Sequence, residues 1–247
     1  MLLFRSLEVL LALGSPAFCQ DGPRDAASAK ESAQALAAYL DTVFKSGGRP
    51  DYRKPPVPDL LHRVFNTEEL MALPPPNPSD LPWLLDWGAA ANRTNVLMIF
   101  FGMTPGQDLD QAVVLRNQKE CEDQCAASLN FMIRLTAVEV PALNQFMAQL
   151  TPEQRTPVRE AGLQKARHSA TEMIEGAIIW VSQGIKPVNA RLLTAALRDT
   201  GDVWAAYITS DDRTRVLSML IALQKTVTDD EVQKNLAALA GALDTAK

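Results

Sequence analysis

Two cysteines four residues apart, Cys121 and Cys125, carry the most distinctive chemistry in this 247-residue sequence. On a helix that spacing projects both thiols from one face. Three fates are open to such a pair. Both can be small core residues, because they share a stripe with Val114, Gln118, Leu129, Met132 and Thr136, and free cysteine is commonly buried. They can close a disulfide, although across one regular helical turn the Cα separation is near the upper limit and the side-chain directions are poor. Or two thiolates can hold a soft metal such as Cu(I), with Met98, Met103 or Met132 adding a thioether. On that last reading Cys121 and Cys125 are the metal ligands.

A second cluster, Asn117, Glu120, Asp123 and Gln124, occupies the other side of the same helix. If a neighbouring segment covers it, four polar groups need partners, and the cluster marks a polar binding pocket. If it faces water, it is ordinary surface, the commoner fate of carboxylates. His168, Glu172 and Glu175 share an arc further along the chain and offer one imidazole and two carboxylates to a metal. Lys165 and Arg167 lie beside them, so a solvated, ion-paired helix face explains the same residues.

Nothing else points to catalysis. The sequence contains two histidines, His62 and His168, and lacks a Gly-rich phosphate loop, a nucleophile elbow, a zinc-protease motif and a c-type haem motif. The residues lean away from an enzyme, and no cofactor is expected. A net charge of −5 disfavours nucleic acid or an anionic membrane as partner, since both require clustered Lys and Arg.

The elements that must position these groups read as helices throughout. Residues 1–19 have the layout of a cleavable signal peptide: Arg5, an apolar stretch Leu7–Leu13 interrupted by Glu8, then Gly14, Ser15 and Ala17. Cleavage is expected after Ala17 or Cys19. Beyond it no segment reaches the ~20 apolar residues of a membrane span, so no transmembrane segment is expected in the mature chain. Residues 20–247 read as a single helical domain.

Asp25–Phe44 is the first expected helix, ended by Gly47 and Gly48. Residues 46–82 are Pro-rich, with four prolines between Arg49 and Asp59 and another run at Pro74–Pro78, and should form short helices and loops that wrap the rest. Ser79 is the expected cap of a helix carrying Trp83, Trp87, Ala91 and Met98. A long helix is expected from about Asp108 to Val140, kinked or restarted by Pro141 and continuing to Leu150. Thr151–Gln154 has the spacing of a capping box with Pro152 at the first helical position, and a helical pattern runs throughout from Pro157 to Gln183. Its last turns, at Ile178, Ile179 and Trp180, are apolar all round and therefore expected to be buried. Pro187 opens another helix, Gly201 stops it, and a short segment follows around Trp204. Ser210–Asp212 and Thr228–Glu231 cap the last two helices.

The fold class expected is all-α, an irregular bundle of about eight helices with a Pro-rich wrapping segment near the N-terminus. The expected role is an exported, periplasmic or secreted, non-catalytic module that binds another envelope protein or a small ligand in a groove between helices. The alternative is a thiol-based copper protein centred on Cys121 and Cys125. An enzyme using the Asn117–Gln124 carboxylates ranks third.

Overall fold

The computed structural model describes residues 24–103 and 108–245; the expected signal peptide lies outside them. Helix accounts for 79% of the described residues, and no strand occurs among them. The all-α expectation holds. The helices, in order, are α1 (Arg24–Lys45), α2 (Val57–Val64), α3 (Thr67–Ala72), α4 (Leu81–Ile99), α5 (Gln111–Glu120), α6 (Glu122–Gln149), α7 (Pro157–Ser182), α8 (Pro187–Asp199), α9 (Gly201–Tyr207), α10 (Ser210–Gln224) and α11 (Asp230–Thr245). There are more of them than the sequence pattern separates, chiefly because the expected Asp108–Val140 helix is interrupted at Cys121.

The chain divides into two compact units. One comprises the described parts of 21–72 and 82–132, the other 73–81 and 133–245. In the first, α1 packs on α2, with Ala33, Leu36 and Leu40 buried on the expected stripe while Phe44 stays 49% exposed. Phe44 instead meets the edge of Phe101. The centre of this unit is Trp87, fully buried on α4. Its indole N–H donates to the Val64 carbonyl at the end of α2, 2.9 Å away. Phe131 stacks obliquely on Trp87 and on Phe65, with ring centroids 5.1 and 6.0 Å apart. Such pairs add to the burial of aromatic area.

In the second unit α11 packs against α8, α9 and α10, and α7 against α8 and α10. Asn235, fully buried on α11, accepts from Arg198 at 2.7 Å and donates to Thr194 at 3.3 Å. Its polar atoms thereby meet the requirement that buried groups be paired. Gly201 is not a helix stop. It opens α9 where that helix crosses α11, and a Cβ there would stand 3.3 Å from the Ala242 Cβ and 3.4 Å from Leu239 Cδ1. The branched side chain of Gly201→Val has no room, and overpacking of this kind costs about 1–3 kcal/mol. Urea unfolding of that variant should show a lower midpoint at unchanged slope.

Several caps sit a few residues from their expected positions. Helix α7 begins at Pro157, where its pattern starts, but its cap is the Thr156 hydroxyl, and Thr151–Gln154 forms a separate turn before it. Gln154 does reach back to the Thr151 amide at 3.0 Å, so half of the expected box exists without a helix behind it. Asn77 rather than Ser79 caps the 3-10 turn that leads into α4, with Asp80 completing the box. Thr209 caps α10, and Asp229 accepts from the amides of Glu231 and Val232 at the start of α11. Ile179, expected to be buried, is 48% exposed.

Helix α6 is long and apolar enough by length and composition to cross a membrane, and 72% of its most apolar window is buried inside the protein. A core helix passes the same test.

Candidate functional site

The region around Cys121 is built by the break between α5 and α6. Asp110 caps α5, accepting from the amides of Ala112 and Val113. The helix gives way at Cys121, whose φ of −111° and ψ of 31° are not helical. Hydrogen bonding nevertheless runs through the joint, from the Cys121 amide to the Asn117 carbonyl at 2.9 Å and from the Cys125 amide to the Cys121 carbonyl at 2.8 Å. Both thiols are buried, and their sulfurs lie 2.8 Å apart. Contact with the Cys121 sulfur, followed by burial, pushes the Cys125 thiol well above its ordinary range. It stays protonated near neutrality and is no activated nucleophile.

Of the four residues in the polar cluster, the structure brings two together. Glu120 and Gln124 line an open pocket of about 370 Å³, whose other wall is Arg49, Pro50, Asp51, Tyr52 and Arg53 from the Pro-rich segment between α1 and α2. Asn117 does not reach this pocket. It is buried, and its amide donates to the carbonyls of Ile99 and Phe101, 2.9 and 2.8 Å away. Those contacts close the C-terminus of α4, where helical carbonyls lack intrahelical donors. Asp123 is exposed and lines no part of the pocket.

The five-residue wall is held by its own contacts. The Asp51 amide donates to the Tyr39 hydroxyl on α1 at 3.4 Å. The Asp51 carboxylate accepts from the Arg53 amide at 3.1 Å, a local turn typical of aspartate. That amide, with Lys54 3.3 Å away, holds the Asp51 carboxyl below the usual carboxylate range. Arg49 forms an ion pair with Glu120, joining the wall to α5. Tyr52 is 7% exposed, so it is anchored, while Asp51 is half-buried and Arg53 faces solvent. Burial raises its phenol well above the ordinary range, and Cys121, Cys125, Glu120 and Tyr39 add to the effect. Tyr52 is a neutral hydroxyl at any physiological pH.

The pocket therefore combines two guanidinium and two carboxylate groups with Pro50, Tyr52 and Gln124 in its lining. Glu120 and Gln124 stand out in the sequence, as does the Pro-rich wrapping arm, but spacing alone does not single out Arg49, Asp51, Tyr52 or Arg53. Alternating charge about one aromatic in the run Arg49-Pro50-Asp51-Tyr52-Arg53 is the signal that could have found them.

The His168 cluster is dispersed. His168 lies 3.5 Å from Glu172, while Glu175 pairs with Arg215 of α10, which also binds Asp212 at 2.8 Å. Among the described residues no group of three or more His, Cys, Asp or Glu side chains is placed to hold a metal ion. No protein-family model, no characterised protein and no solved structure matches this chain.

Proposed function

We propose that this chain is an exported, non-catalytic binding module whose ligand is a small zwitterionic molecule of the amino-acid type, held between residues 49–53 and the Glu120–Gln124 edge. The carrying observation is the pocket of about 370 Å³ lined by Arg49, Asp51, Arg53, Glu120 and Gln124. Its volume falls within the roughly 300–1,000 Å³ of ligand sites. Two arginines and two carboxylates give no net preference for an anion or a cation, but suit a ligand carrying both charges. Arginine offers a carboxylate two parallel donors, and a carboxylate accepts from an ammonium group. The Arg49–Glu120 pair, with side chains 62% and 38% exposed, is of the surface kind that contributes little. A ligand can insert between these partners at small cost. The export half of the proposal rests on Arg5, the Leu7–Leu13 stretch and the small residues after it.

Two features favour binding over catalysis. Tyr52 is held as a phenol and Asp51 as a carboxylate, so both are tuned away from the near-neutral range useful for proton transfer. Copper binding at Cys121 and Cys125 gains less support. Two thiolates hold Cu(I) linearly, with the ion between them; at metal–sulfur distances of about 2.3 Å that sets the sulfurs roughly 4.6 Å apart, and these lie at 2.8 Å.

Calorimetric titration of the protein with a panel of free amino acids tests the reading. At least one should bind saturably, and Glu120→Gln and Arg49→Met should each weaken it about tenfold or more. That is the cost of losing a charged hydrogen bond of about 1.5–3 kcal/mol. Absence of binding across the panel, or equal affinity in both variants and the native protein, would dispose of the zwitterion site.

A further inference from the structure

The pocket accounts for Glu120 and Gln124 but leaves the two thiols beside them without a role. Cys121 is 0% and Cys125 4% exposed, which shuts the folded pair off from other proteins' thiols and disulfides. They are not shut off from each other. The 2.8 Å between their sulfurs is well inside the roughly 3.5–4.0 Å of non-bonded contact between carbon atoms, and sulfur is the larger atom.

We propose that Cys121 and Cys125 form an intrachain disulfide across the joint between α5 and α6. Two physical points carry it. A disulfide across a regular helical turn suffers from side chains that point past one another. Here α5 ends at Cys121, which has left helical geometry, and the two side chains converge. The second point is the ligand alternative: closure to a covalent bond of about 2.05 Å needs less movement than the opening to roughly 4.6 Å that a linear bis-thiolate Cu(I) site requires at about 2.3 Å per bond.

The chemistry is thiol–disulfide exchange during folding, before the pair is covered. One cysteine thiolate attacks a sulfur of a low-molecular-weight disulfide, forming a mixed disulfide and releasing one thiol. The second cysteine thiolate then attacks the chain's own sulfur in that mixed disulfide and expels the second thiol. The two cysteine protons end on the two released thiols, and the external disulfide is reduced by the two electrons the cysteines lose. The product ties together the two residues adjoining Glu120 and Gln124, fixing that edge of the pocket. It does not depend on which ligand the pocket takes.

The sequence supplies a clean test. Trypsin cleavage after Lys119 and Arg134 releases Glu120–Arg134, which contains both cysteines and excludes Cys19. The full chain is refolded in a mixture of oxidised and reduced glutathione, and material that regains its helical circular dichroism is taken. It is unfolded without reductant, alkylated, digested and weighed. The disulfide gives a peptide without alkyl groups, two hydrogens lighter than the dithiol, which gains two alkyl groups once reduced. Cys121→Ser, treated alike, should give the same peptide with a thiol at Cys125 that is alkylated without reduction or bound to glutathione. A wild-type peptide carrying two alkyl groups after oxidative refolding overturns the proposal. So does stoichiometric retention of added Cu(I) by the oxidatively refolded chain, since that requires both thiols free.

Discussion

Glu139→Gln is expected to remove most of a stability loss that the native protein suffers between pH 4.5 and about pH 8. Glu139 lies on α6, is 8% exposed, and its Oε1 atom has no hydrogen-bond partner among the described residues. Burial alone raises its carboxyl from 4.5 to about 8. Below pH 4.5 the group is protonated whether the chain is folded or not, and costs nothing by linkage. Between the two values the unfolded chain releases a proton that the folded chain retains, so the unfolded state gains and stability falls as pH rises. Above about 8 the folded carboxylate is itself ionised and the loss is complete. At about 1.36 kcal/mol per pH unit the full effect is of order 3–5 kcal/mol. The substituted amide keeps the volume of the native side chain and has no such titration. Urea unfolding at about pH 5, 7 and 9 should therefore show variant and native protein converging at the lowest pH, and the variant ahead by most of that amount at the highest. Parallel profiles for the two proteins would mean that Glu139 gains in the folded state a partner that stabilises its charge.

Trp87→Ala is expected to cost about 3–5 kcal/mol, the range for deleting a large aromatic from a packed core. Its ring is fully buried against Phe131, and its N–H serves the Val64 carbonyl, one of the terminal carbonyls of α2. Trp87→Phe separates the two contributions. It keeps most of the apolar contact but leaves the carbonyl without this donor, a loss of about 1–3 kcal/mol. The Ala variant should lower the denaturant midpoint substantially more than the Phe variant. Equal midpoints would show that the hydrogen bond, not the packing, dominates this site. Because α2 follows directly on the 49–56 segment, the Ala variant should also loosen the pocket wall and weaken any ligand held there.

Helix positions are legible in the sequence because apolar periodicity and Pro or Gly punctuation act locally. Leu36, Trp87, Val114, Met173 and Leu239 all lie inward where their spacing places them. Caps are less legible, because Thr151 and Thr156 precede equally suitable turns and only the packing of the following helix selects one. The interruption at Cys121 has no local sign at all: the stripe from Val114 to Met132 continues through it, and no Gly or Pro marks the break. Asn117 shows the same limit. Its spacing gives it a polar helix face, but two carbonyls from the end of α4, distant in sequence, turn it into a structural bridge. The pocket is half legible. Glu120 and Gln124 stand out on their helix, whereas Arg49 and Arg53 acquire meaning only when Tyr52 anchors their segment opposite.

The most direct test of the binding account is the amide NMR spectrum of isotope-labelled protein titrated with the amino acid that binds most tightly. Saturable shifts are expected, concentrated at residues 49–53 and 120–124, with the His168–Glu175 face unmoved. Shifts centred elsewhere, or a spectrum unchanged at millimolar ligand, would contradict it.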